Sequence, residues 1–238
     1  MKKGAMLYEG KAKKVFKSDT DGIYIVSYKD DATAFDGKKR GQIVGKGAIN
    51  NQMSNHLMAL LEKEGIPTHL IRELSKTDTA VKAVRIIPLE VIVRNIAAGS
   101  LAQRLGLTEG SKLDSTVLEF CYKRDDLGDP LVNTSHIKAL NLATEEQLKQ
   151  ITSYALNINT FLQKHVQEVG LTLVDFKLEF GLTSDGKLVL ADEISPDTCR
   201  FWDSETGKKL DKDRFRRDLG DVEEAYQEVL SRLVGLEQ

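Results

Sequence analysis

The chain has 238 residues, 41% of them hydrophobic and 29% charged, with a formal net charge of −2. That length and balance suit a globular protein with a sizeable core, and they exclude a surface basic enough throughout to take a nucleic acid, though a local cluster can still hold a small phosphate. No apolar run approaches the ~20 residues of a membrane span, and no secretory apolar segment follows Met1-Lys2-Lys3, so a cytoplasmic protein with no membrane or nucleic-acid partner is expected. Cys121 and Cys199 lack metal-ligand spacing and read as free, structural thiols.

In chain order, residues 7–16 (LYEGKAKKVF) and 22–28 (GIYIVSY) read as strands, with Gly10 opening a lysine-bearing link. Backbone amides at Gly10 to Ala12, with Lys11 and Lys13, suit a triphosphate, but the stretch matches no standard phosphate-loop pattern and is equally a solvated basic hairpin. Residues 31–41 read as a loop holding Thr33, Asp36, Lys38 and Arg40. Ile49, Met53, Leu57, Leu60 and Leu61 recur at helical spacing until Gly65-Ile66-Pro67 ends that helix. His56 and His69 read as structural. A strand over 79–84 breaks at Ile86-Ile87-Pro88, where a small β-rich lobe would end.

Residues 89–94 then alternate, with Glu90, Ile92 and Arg94 on one face. Ser100 and Gln103 fit a capping box for a short helix over 101–105. An arginine ending the strand, a glycine and a helix start together suit a phosphate monoester; an ordinary capped helix is the plain alternative. Residues 118–123 are apolar then basic, and 124–133 form an acidic loop. Thr144 and Gln147 cap a long helix whose apolar face runs Leu148, Ile151, Ala155, Ile158, Leu162, Val166 and Val169 to Gly170. Asp197 and Arg200 fall in a loop, residues 212–217 (KDRFRR) are basic, and Val222 to Leu233 make a terminal helix.

The densest signal lies between these, in residues 171–200 (LTLVDFKLEFGLTSDGKLVLADEISPDTCR). Asp175, Lys177 and Glu179 alternate with Val174, Phe176, Leu178 and Phe180, which marks a strand with one charged and one apolar face. A two-residue Asp185-Gly186 turn would set Glu179 opposite Asp192 on the returning strand. Two carboxylates at about 5 Å repel by roughly 3 kcal/mol at an effective dielectric of about 20. A shared proton, Lys177 or a divalent cation would offset this; Mg²⁺ suits paired oxygen ligands with room for phosphate. A solvated hairpin face is the alternative.

Residues 86–100 (IIPLEVIVRNIAAGS) and 173–181 (LVDFKLEFG) resemble the two signature segments of the SAICAR synthetase family, the phosphoribosylaminoimidazole-succinocarboxamide synthases. Gly10-Lys11-Ala12-Lys13, Ala34-Phe35-Asp36-Gly37, Asp129-Pro130 and Ser195-Pro196-Asp197 to Arg200 resemble it in order and spacing, so the likeness spans essentially the whole chain. It implies an α+β fold of two lobes, a kinase-like β-rich lobe over 1–84 and an ATP-grasp-like lobe over 85–238, with a nucleotide cleft between them. It also implies an ATP- and Mg²⁺-dependent ligase joining carboxyaminoimidazole ribonucleotide (CAIR) to L-aspartate to give SAICAR, ADP and phosphate, and a homodimer. Lys11, Ala12 and Lys13 would cover the ATP phosphates, the backbone at Lys82 and Val84 would meet adenine, and Glu179 would face ATP and, with Asp192, hold Mg²⁺. Arg94, Ser100 and Arg200 would bind the ribonucleotide phosphate. Asp36, Lys123, Asp129, Lys177 and Asp197 would surround the reacting carboxylate and amine. Lys212 and Arg216, in the basic run, are the candidates for aspartate.

Chemical need points the same way. A carboxylate is a poor electrophile until phosphorylation makes one of its oxygens a leaving group, and an acyl phosphate can then be attacked by an amine. A hydroxyl kinase is the rival enzyme, without the H-R-D-x-x-x-x-N loop of protein kinases. A nucleotide sensor would have no use for the second, phosphate-monoester site.

Overall fold

Period-two stretches and 3.6-residue stretches alternate along the chain, and among the described residues, 1–34 and 37–235, they form thirteen strands and six α-helices in the computed structural model. β1 (Lys3–Glu9), β2 (Lys13–Ser18) and β3 (Ile23–Tyr28) form an antiparallel meander. β4 (Asp31–Ala34) and β5 (Lys39–Gln42) pair as a separate ribbon where the sequence suggested only loop, and α1 (Lys46–Lys63) follows. β6 (Leu70–Glu73) and β7 (Asp78–Lys82) complete the first sheet, ordered β1-β2-β3-β7-β6.

β8 (Arg85–Ile96) enters the second sheet, followed by α2 (Gly99–Leu105), β9 (Lys112–Tyr122), β10 (Leu131–Val132) and α3 (Thr134–Ala139). α4 (Glu145–Glu168), β11 (Leu171–Leu182), β12 (Leu188–Ala191), β13 (Cys199–Asp203), α5 (Asp213–Arg216) and α6 (Val222–Val234) complete the chain. The second sheet runs β10-β9-β8-β11-β12, with β13 on the first half of β11. This is a mixed α+β architecture of several sheets.

The core follows from the two periodicities. Ile151, Ala155, Ile158, Leu162 and Val166 on α4 are fully buried and join one apolar cluster with Leu89, Val91 and Val93 of β8 and Phe176, Leu178 and Phe180 of β11. α4 starts on the predicted reciprocal cap: Thr144 Oγ1 accepts the Gln147 amide at 3.1 Å and Gln147 Oε1 accepts the Thr144 amide at 2.9 Å. α1 and α6 enter the same cluster through Met53, Leu57, Leu61, Val229 and Leu233. A smaller cluster, Val26, Tyr28 and Val81 with Val15 and Tyr24, lines one face of the first sheet.

Several local expectations are corrected. β8 runs through Pro88, because its ladder with β11 bulges between Glu179↔Glu90 and Gly181↔Ile86 and Pro88 sits in that irregularity, where a missing N–H costs no ladder bond. The β11–β12 hairpin closes through five residues, 183–187, between Leu182 and Leu188, with the Thr183 and Lys187 backbones bonded across it at 3.0 Å. A loop three residues longer than the two-residue turn moves the register by one, so Glu179 faces Ala191, not Asp192. α2 begins at Gly99 with Ala98 at the cap and no side-chain cap, so Ser100 and Gln103 form no capping box. Arg200 lies on β13, paired with Asp175, rather than in a loop.

Candidate active site

The charged face of β11 carries the site, and its neighbours on either side complete it. On the ladder, Asp175 pairs with Arg94 of β8 and with Arg200 of β13, a favourable row of alternating charge. Arg94 Nη1 donates to Asp175 Oδ2 at 2.9 Å, Nε to Glu119 Oε2 at 2.8 Å and Nη2 to the Ser100 hydroxyl at 3.0 Å. Arg200 Nη1 reaches both Asp175 oxygens at 3.0 and 2.9 Å, and its Nε donates to Asp213 at 2.9 Å. Burial works against the Arg200 charge, but Asp175 and Asp213 outweigh it and hold its pKa above the ordinary arginine value. Gly99, at φ 50, lets the start of α2 lie against this guanidinium: a Cβ there would stand 2.5 Å from Arg200 Nη2.

Four residues along β11, about 13 Å at ~3.3 Å per residue, a second cluster gathers. Glu179 pairs on the ladder with Glu90, and the like-charge contact is neutralised by Lys177, whose Nζ lies 2.8 Å from Glu90, 2.9 Å from Glu179 and 4.0 Å from Asp192. Lys177, one of the three ways to offset paired carboxylates that the sequence left open, stands here between Glu90 and Glu179. Lys123 donates to Glu179 at 2.9 Å. Lys13 is ion-paired to Asp192 and, at 2.9 Å, to Glu193, while Lys11 pairs with Asp125 at 2.8 Å. Burial disfavours the ammonium groups of Lys13 and Lys177, yet the surrounding carboxylates raise both pKa values well above normal. Asp192, although partly desolvated, is held well below the usual carboxylate range by Lys13 and Lys177. It also sits at φ 62, a strained conformation for a non-glycine residue and one that recurs at functional sites.

A third cluster surrounds Asp197. Its Oδ2 lies 2.8 Å from Lys46 Nζ and 3.8 Å from Lys212 Nζ, and its Oδ1 accepts the Tyr226 hydroxyl at 2.7 Å. Despite burial, Lys212 and Lys46 depress its pKa strongly, so it is an anion anchor and a weak base. Burial lowers the Lys212 pKa. Arg216 donates to Asp213 at 2.6 Å, which ties the start of α5 to Arg200.

The structure thus brings together Lys13, Lys123, Lys177, Glu179 and Asp192, and separately Arg94, Ser100 and Arg200; Lys212 joins Asp197. Asp129 instead accepts the Arg124 amide at 2.7 Å and closes its own loop. Ala12 lies in the link before β2, its carbonyl accepting the Lys29 amide at 2.8 Å. Lys82 spends its ammonium on the Thr68 carbonyl at 2.8 Å and its amide on the His69 carbonyl at 2.7 Å. Val84 lines a pocket of about 530 Å³ with Tyr24, Ala83, Leu182 and Gly186. Asp36 lies outside the described residues. A larger groove, about 730 Å³ between α1 and α6, shares no residue with these clusters.

Sequence reasoning gave no role to Glu90, Glu193, Asp213, Lys46 or Tyr226. Lys46 alone left a signal, a lysine in line with Met53 and Leu57 on an apolar helix face.

Among the described residues no three ligating side chains stand close enough to hold a metal ion by themselves. Glu90, Glu179 and Asp192 still offer hard oxygen donors. Mg²⁺ takes one or two carboxylates and completes its shell with phosphate oxygens and water, so the residues present fit it beside a nucleotide.

A lysine-rich, carboxylate-bearing cluster thus stands four strand residues along β11 from a two-arginine cluster. The SAICAR synthetase family model matches residues 6–233. The phosphoribosylaminoimidazole-succinocarboxamide synthase of Lachnoclostridium phytofermentans is 61% identical over 98% of this chain and 99% of its own. The crystal structure of that enzyme from Ehrlichia chaffeensis superposes with a TM-score of 0.95 at 44% identity, over 98% of this chain and 99% of that one. A SAICAR synthetase in complex with ADP gives 0.94 at 48% identity, over 97% and 98%. The chain belongs to the SAICAR synthetase family. It is an ATP-dependent ligase of purine biosynthesis.

Proposed function

We propose that the chain joins CAIR to L-aspartate through an acyl phosphate, with ATP phosphates at the Lys13–Lys123–Lys177 cluster and the ribonucleotide phosphate at Arg94, Ser100 and Arg200. The observation that carries this is the single charged face of β11, which contributes Asp175 to one cluster and Lys177 and Glu179 to the other. Residues 1–84 act as a kinase-like lobe and 85–238 as an ATP-grasp-like lobe, with adenine held at the link beside Val84 and Tyr24. The ADP complex of a relative supports the nucleotide half of this reading.

Lys11, Lys13 and Lys177 hold and neutralise the polyphosphate while a CAIR carboxylate oxygen attacks the γ-phosphorus; the new O–P bond forms as the β,γ-bridging bond breaks and ADP leaves. Glu179 and Asp192, with Glu90 beside Glu179 on the ladder, would hold Mg²⁺, which would supply charge neutralisation to the transferring phosphoryl group. Lys123 steadies Glu179 and faces the same charge. The aspartate α-amine then attacks the acyl carbon, the C–N bond forms, the amine proton passes to a nearby carboxylate directly or through water, and phosphate departs with the carboxylate oxygen it had bonded. Lys212 and Arg216 bind the aspartate carboxylates, Lys212 held in place by Asp197.

CAIR labelled with oxygen-18 in its carboxylate tests the reading. ADP formation should require aspartate, and each phosphate released should carry one labelled oxygen. Unlabelled phosphate would rule out activation by phosphoryl transfer to the carboxylate.

A further inference from the structure

Two neighbouring carboxylates of very different freedom hold the Lys13 ammonium. Asp192 leaves β12 in the left-handed conformation, with 18% of its side chain exposed. Glu193 is 3% exposed and has both oxygens engaged: Oε1 lies 2.9 Å from Lys13 Nζ, and Oε2 accepts the Ser195 hydroxyl at 2.6 Å. The Ser195 oxygen in turn accepts the Asp197 amide at 3.1 Å, and the Ser195 carbonyl accepts the amides of Thr198 and Cys199. Glu193 is therefore fixed to a stiff loop, whereas Asp192 has room to turn. A divalent cation held by Asp192 would compete with Lys13 for its oxygens, so Lys13 would lose that partner when it must hold phosphate. We infer that Glu193 is a positioning residue: it keeps the Lys13 ammonium aimed at the phosphates once Asp192 turns to the metal ion, and itself touches neither. This rests on the nucleotide assignment proposed above.

Calorimetric titration with ADP, with and without Mg²⁺, tests it in a way that a structural role would not satisfy. Glu193→Gln should leave metal-free ADP affinity within about twofold, because Asp192 still holds Lys13, and weaken binding in Mg²⁺ by about tenfold, the scale of one charge-assisted hydrogen bond. Ser195→Ala keeps the carboxylate but releases one of its oxygens, so the same metal-dependent loss should appear in smaller measure; it carries the test if the glutamine variant does not fold. Equal losses with and without Mg²⁺, or tighter binding once the anion is removed, would overturn the inference. If Lys13→Met binds ADP like the unaltered protein in both conditions, the nucleotide assignment fails, and the inference with it.

Discussion

Arg94 meets three partners with one guanidinium, Glu119, Asp175 and the Ser100 hydroxyl, and its side chain is 4% exposed. Removing it leaves two acids in a buried site with one cation fewer, so Arg94→Ala should destabilise the fold by about 3–5 kcal/mol as well as abolish ribonucleotide binding. Ser100→Ala separates the two effects. It removes one hydrogen bond from a guanidinium that keeps its carboxylates, for a stability loss of about 1 kcal/mol. The KM for the ribonucleotide should still rise roughly tenfold, while that for ATP stays within about twofold. Steady-state kinetics beside urea denaturation would show it; a matching rise in the KM for ATP would mean that Ser100 serves the other phosphate site.

At the scale of an element, α5 is four residues long, and the ion pairs of Asp213 position it beside the packing of one apolar side chain, Phe215, against the core. Asp211 precedes it, fully buried, with Oδ1 accepting the Asp213 amide at 2.8 Å and Oδ2 unbonded. Burial, reinforced by the Asp213 charge, raises its pKa to about 7. The folded form therefore binds a proton more tightly than the unfolded chain, whose value is near 3.8. The carboxyl imposes no cost below about pH 4; the cost grows as pH rises toward 7 and is complete above it. Asp211→Asn keeps the cap acceptor without the charge, so it should flatten the stability profile across that window. Above pH 7 it should stabilise the protein by at most about 4 kcal/mol, at about 1.4 kcal/mol for each pH unit. Chemical denaturation of both proteins from pH 4 to 8 checks this, and parallel profiles would refute it.

At the scale of the whole molecule, the lysine-rich cluster takes Lys13 from the first sheet, Lys177 and Glu179 from the second, and Lys123 and Asp192 from the residues that directly follow two of its strands. The segment between α1 and β6 also joins them, since Thr68 bridges to Leu190 of β12 and the Lys82 amide of β7 donates to the His69 carbonyl. A ligand spanning both sheets should stabilise them as one unit. ADP with Mg²⁺ at a hundred times its Kd should add about 2.7 kcal/mol, and at about 2–4 °C per kcal/mol for this size raise Tm by roughly 5–10 °C. Scanning calorimetry should show a single shifted transition; a shift confined to part of a split transition would place the nucleotide on one sheet alone.

The sequence by itself determined the strands and helices whose periodicity spans many residues. β11, α1, α4 and α6 were legible, as was the part of β8 beyond Pro88, because each buries one face along its length and repeats the signal at every turn or pleat. It also determined the charged row Asp175, Lys177 and Glu179, and the family. It did not determine what lies opposite that row. The Asp-Gly pair suggested a two-residue turn, but Thr183 and Lys187 close a longer loop, and one residue of register set Glu179 opposite Ala191 instead of Asp192, while on the other edge of β11 Glu179 faces Glu90 of β8 with Lys177 bonded to both. β4, β5 and β13 are too short for a period to show, and pairing with a neighbour makes them strands. Lys46, Glu193, Asp213 and Tyr226 acquire their roles only from partners 13 to 180 positions away, with Lys46 meeting Asp197, Tyr226 meeting Asp197, Glu193 meeting Lys13 and Asp213 meeting Arg200. Local pattern carries which face is buried, while the charge balance of a buried site is fixed by contacts between distant segments, which the tertiary structure alone decides.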